Sequence, residues 1–231
     1  DDGESTDEED SGVVIELDTA ESLDSAVESV TCTPSLSIKI NEALVNPEGA
    51  DGGFEWIELY NAGEEAVSLE GWRLEGGTSA SSFRIDVTFE SGVLLAPYGF
   101  LLVGESLVAG ADVTTDLSLG NAGSSSDITR LVNCFGVAAD TLIYGEPNTD
   151  DWVDDSGEIA TSLAAVASEA DTIARVVDGV DSDAAGVDFA PSSWPTPGAP
   201  NAFEGASDGV ADTASGEMEP DSGDEDTGGH S

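Results

Sequence analysis

Between residues 36 and 144 apolar and polar positions alternate in short runs with a period of two, the signature of half-buried strands. Leu36, Ile38 and Ile40 fall on one side of the first run and Ser37, Lys39 and Asn41 on the other. Asn46-Pro47 and a glycine-rich loop at 49–53 end it. The next run, Phe54 to Tyr60, sends Phe54, Trp56 and Tyr60 to one face and Ile57 and Leu59 to the other. With both faces apolar it predicts a central strand, and Trp56, Ile57, Leu59 and Tyr60, with Trp72 further on, are the expected core. Glu58 is the odd member, because it shares a face with Trp56 and Tyr60. A carboxylate there either reaches water or finds hydrogen-bond donors, and a strand-end Glu in water is the expectation.

After this strand Val67 and Leu69 alternate, the phase slips at Gly71, and Trp72 and Leu74 resume, which predicts a bulge or bend at the glycine. Phe83, Ile85, Val87 and Phe89 alternate strictly. Val93-Leu94-Leu95 and Phe100 to Val103 are joined by Ala96-Pro97-Tyr98-Gly99, a tight-turn sequence. Leu117-Ser118-Leu119, Ile128 to Val132 and Asp140 to Tyr144 give three more short strands. Strands at this spacing with no helices between them point to an all-β, antiparallel sandwich. The piece 146–174 breaks the rhythm. Its Ala-rich run 160–170 predicts a short helix lying as a lid on a sheet edge.

Charge changes the picture at both ends. The 231 residues carry 49 acids against Lys39, Arg73, Arg84, Arg130 and Arg175, a formal charge of −44. Residues 1–31 hold twelve acids and no Lys or Arg, and residues 204–231 hold nine and none, the composition of disordered tails. Val13 to Leu17 is the one stretch there that could add an edge strand. A single body over 32–203 is left with 28 acids and about −23. Such a charge repels duplex nucleic acid and anionic membranes. No apolar run is long enough to span a bilayer and none at the start serves as a signal core, so an export signal is expected to lie outside this chain. Cys32 and Cys134 do not form a zinc or CxxC pattern, and an even pair in an exported acidic protein predicts a disulfide between them.

Taken in order, several motifs resemble the lamin-tail domain, an immunoglobulin-like sandwich that ends nuclear lamins and recurs in bacterial envelope and secreted proteins. They are Ile38-Lys39-Ile40-Asn41-Glu42, Glu55 to Asn61, Val67 to Leu74, Pro97-Tyr98-Gly99, Leu117 to Gly123, Asp140 to Tyr144 and the closing Pro195-Thr196-Pro197-Gly198-Ala199-Pro200-Asn201. The resemblance covers roughly 36–201 and implies a scaffold with no catalytic residue. No heptad rod and no basic localisation cluster accompany it, so nuclear-lamina roles do not carry over.

The candidate chemistry is sparse. His230, the only histidine, stands in an acidic tail, which removes a Ser-His-Asp site and the usual zinc sets. The sharpest candidate is a calcium loop at Asp178, Asp181, Asp183 and Asp188, where oxygen ligands share a glycine-bearing segment; the competing expectation is an acidic turn. The sequence thus predicts a non-catalytic extracellular or cell-envelope binding, adhesion or structural module, without a required cofactor, whose partner is a protein or an envelope polysaccharide. The alternatives are a calcium-dependent carbohydrate- or matrix-binding module and an accessory domain of a larger exported hydrolase.

Overall fold

A computed structural model describes residues 32, 35–49, 51–79 and 82–203. The two acidic ends and the Val13–Leu17 strand expected from the sequence lie outside the described residues. Thirteen elements follow in chain order: β1 (Ile38–Leu44), β2 (Trp56–Asn61), β3 (Val67–Ser68), β4 (Arg73–Ser79), β5 (Ser82–Thr88), β6 (Leu94–Leu95) and β7 (Phe100–Gly104), then β8 (Val113–Thr114), β9 (Asp127–Val132), β10 (Ala138–Tyr144), β11 (Thr172–Arg175), α1 (Ala185–Asp188) and β12 (Phe189–Ser192). They build an immunoglobulin-like β-sandwich. One sheet has the order β12-β11-β1-β2-β7-β8, the other β10-β9-β4-β5, and β3-β6 pair as a small ribbon. Among the described residues these strands pair antiparallel except β7 with β8.

The core lies between the sheets. Ile38, Ile40, Ile57, Leu59 and Val103 come from the large sheet, and Leu74, Leu131, Leu142 and Tyr144 from the smaller one. Leu69 and Trp72 join them at the turn before β4. Burying each aliphatic side chain contributes about 1.5–3 kcal/mol, which is why the period-two pattern specified these strands. Gly71 turns the chain at φ 76°, as the phase slip suggests. At the Pro97 corner Gly99 N–H donates to the Ala96 carbonyl at 3.1 Å, and Tyr98 carries the positive φ. The Cys32–Cys134 disulfide ties the chain ahead of β1 to the β9–β10 turn, with Cα atoms 5.9 Å apart at a sequence separation of 102.

Three expectations need correction. Residues 160–170 form no helix. Ala164 N–H donates to Ile143 O and Gly145 N–H to Ala164 O, both at 2.9 Å, so this backbone is bonded alongside β10; pairing and packing override alanine's helix preference. The insertion thus meets the β10 edge of the smaller sheet, as expected of a lid, and it also covers that sheet's outer face, with Trp152, Ala160, Ile128 and Ile143 forming a second apolar cluster. Leu117 and Leu119 are buried from an irregular segment, not a strand. Tyr60 is only partly buried, stacked on Phe100 with ring centres 4.8 Å apart, and Trp56 is buried outside the main core. In addition, β11 and β12 widen the large sheet beyond what the sequence pattern revealed.

Candidate functional site

Arg175, at the end of β11, is fully buried. Its guanidinium donates to both carboxylate oxygens of Asp140 at 2.8 Å, to Ile40 O at 2.8 Å and to Val180 O at 2.6 Å, and it lies 4.4 Å from the Phe189 ring centre. Asp181 and Asp188 each stand 3.6 Å from it. Lys39 pairs with Asp181. Burial pushes Asp140 up to about 7 although Arg175 and Lys39 pull the other way. At Asp181 burial also raises the pKa, but Lys39 and Arg175 outweigh it and hold the group below its ordinary range.

The four aspartates proposed as calcium ligands are therefore split. Asp181, Asp183 and Asp188 line one small cleft with Asp154 and Asp155, of about 10 Å³, near the volume one water needs. Carboxylate oxygens of Asp140, Asp155 and Asp181 also come within 4.8 Å of one another. Asp178 faces elsewhere, accepting from Asn41 Nδ2 at 3.0 Å and Asn201 N–H at 3.1 Å. The donor set fits a cation poorly, since Arg175 and Lys39 already supply positive charge to this cluster and Asp188 accepts from Ser182 N–H and Oγ–H.

A second polar centre covers the outer face of the large sheet. The alternation of Ile38 and Ile40 would carry Glu42 into the core, but the β1–β2 register slips between Ile40 and Glu42. That bulge returns Ala43 to the core and sets Glu42 outward, directly across from Glu58. Both carboxylates are fully buried, which overturns the expectation of a solvated Glu58. The cover is a strap, the segment 194–201. Thr196 N–H and Oγ–H each donate to Glu42 Oε2 at 3.1 Å, Thr172 Oγ–H donates to Glu42 at 2.6 Å, and Gly198 N–H donates to Glu58. Asn201 Nδ2 fastens the far end, donating to Asn41 O at 3.1 Å and Arg175 O at 2.9 Å. Burial raises both acids, Glu58 to about 7; the charge of Asp178 adds to both shifts, and that of Glu42 adds to the shift of Glu58. Sequence reasoning missed this pair; its one legible signal was a lone acid in a strand apolar on both faces.

Beside the strap, where β1 ends and β2 begins, lies an apolar groove of about 470 Å³, lined among others by Leu44, Pro47, Phe54, Trp56, Leu107 and Pro197. Phe54 is 43% exposed and Leu107 58%. The loops that carry them are fixed to one another: Leu107 N–H donates to Gly53 O at 2.9 Å, and Ala170 N–H to Asn46 O at 2.8 Å. Residues 32–146 match the family model described as the Lamin Tail Domain. Across that span the chain belongs to the lamin tail domain family. The family is one of non-enzymatic immunoglobulin-like domains, and its match supplies β1 to β10 with the Phe54–Leu107 side of the groove. The strap, Arg175 and the Asp178–Asp188 loop lie beyond the match. No curated protein matches the chain. No helix among the described residues is long and apolar enough to cross a membrane.

Proposed function

We propose that this lamin tail domain is a non-catalytic binding or structural module of an exported protein, working outside the cell or in its envelope through contact with another macromolecule. The observation that carries the reading is the groove: a fixed apolar concavity on a sandwich whose five bases are all engaged in ion pairs with its own acids. The Cys32–Cys134 bridge supports an oxidising compartment. The experiment is retention of partners from the native exported fraction by the immobilised full chain, in the presence and absence of a chelator. Selective retention of one macromolecule supports the reading, and retention of nothing above a bare-resin control sinks it.

A second reading, calcium-dependent capture of a carbohydrate or matrix component, draws on the acidic cleft at Asp154, Asp155, Asp181, Asp183 and Asp188. Loss of the retained partner on chelation favours it. The positive charge already held there by Arg175 and Lys39 argues for the chelator-insensitive outcome.

A further inference from the structure

We propose that the groove docks a protein segment carrying apolar side chains beside lysine or arginine. The proposal rests on the binding-module reading and names the kind of partner. Apolar character comes from the lining. Phe54 and Leu107 stay half exposed although the loops beneath them are held by backbone hydrogen bonds, and the volume lies within the roughly 300–1,000 Å³ of ordinary binding pockets.

Positive charge in the partner comes from the rim. Glu48 is the one charged residue that lines the groove, and Glu169 and Asp171 flank the lining residue Ala170 in sequence. Glu169 accepts from Gly49 N–H at 2.8 Å, which sets its carboxylate against the loop of Pro47 and Glu48. The bases are turned away from this site. Lys39 and Arg175 are buried, and the more exposed Arg73, Arg84 and Arg130 stand on β4, β5 and β9 of the other sheet, paired with Glu75 and Asp86. A cationic segment therefore meets attraction at the rim and in the field of a body of about −23.

The same facts disfavour other occupants. A second copy would bring its own −44, and the chain's ends, with twelve and nine acids and no Lys or Arg, are repelled as well. A sugar needs an open aromatic face and several hydrogen-bonding side chains. Here Trp56 is 5% exposed, and the exposed aromatic is Phe54.

The test uses the folded full chain and fluorescently labelled synthetic peptides: one alternating leucine with lysine, one alternating serine with lysine, and one alternating leucine with glutamate. Anisotropy titration reads affinity. The leucine–lysine peptide should bind at least about tenfold more tightly than the other two. The double variant Phe54→Ser/Leu107→Ser should lose at least about tenfold for it, while Phe135→Ser, an exposed aromatic at the β9–β10 turn, should not. Near-UV circular dichroism checks that both variants keep the fold. Equal binding of the serine–lysine peptide would show counterion attraction alone and overturn the proposal. Failure of the leucine–lysine peptide to bind, or unchanged affinity in the double variant, overturns it too. If a native partner held by the full chain is held equally by the double variant, the groove assignment falls while the binding-module reading stands. If no partner is retained at all, that underlying reading fails with it.

Discussion

Glu58 faces Glu42 across two central strands, neither forms an ion pair among the described residues, and five hydrogen bonds donated by Thr172, Thr196 and Gly198 partly offset the burial of the two carboxylates. Desolvation wins at Glu58, lifting it from 4.5 to about 7, so the folded state holds a proton that the unfolded chain has released between those values. The stability linked to that proton is full below the unfolded value and is lost as pH rises through about 7. At 1.36 kcal/mol per pH unit the loss is at most about 3 kcal/mol. Glu58→Gln should flatten this part of the profile: urea unfolding should show the variant gaining on the parent at pH 8 relative to pH 5, and an identical difference at both pH values would contradict the assignment. Glu55 has the same cause and direction. It is buried, its carboxylate accepts from Leu119 N–H at a long 3.4 Å, and it is pushed to about 7. The residues of the apolar core were legible because burial follows a period of two. The two glutamates were not, because their placement depends on a one-residue bulge that no periodicity announces.

Elements stand or fall on contacts that the sequence encodes unevenly. β2 and β10 were readable because each is continuous and strongly apolar, whereas β11 is four residues long and β12 carries Pro191. Trp152, in the insertion that breaks the strand rhythm, packs with Ile128 against β4 at Gly77, where an added Cβ would clash with the Ile128 side chain and lie 2.7 Å from the indole. Gly77→Ala should therefore destabilise by about 1–3 kcal/mol, measurable as a lower urea midpoint, and a neutral result would contradict the packing of Ile128 and Trp152 on this glycine. The disulfide acts at the same scale by closing a loop of about a hundred residues. In the loop-entropy model its reduction should cost on the order of 3–5 kcal/mol. Thiol titration of the unreduced, denatured protein should find no free cysteine, and two reactive thiols would refute the bridge.

For the whole molecule the dominant quantity is charge. Every described base is paired internally, leaving most of the body's 28 acids to repel one another across the surface. The Debye length falls from about 30 Å at 0.01 M salt to about 10 Å at 0.1 M, so added NaCl should raise the melting temperature by screening that repulsion. Calcium at matched ionic strength separates screening from coordination. Asp181 is already drawn to Lys39 and Arg175, Asp188 accepts from Ser182, and Asp178 faces Asn41 and Asn201, so calcium and sodium should give nearly the same rise. A calcium-specific increase of several degrees, abolished in the Asp181→Asn/Asp183→Asn variant while the sodium response persists, would show an ion bound to the folded state and displace the ion-pair account of that loop.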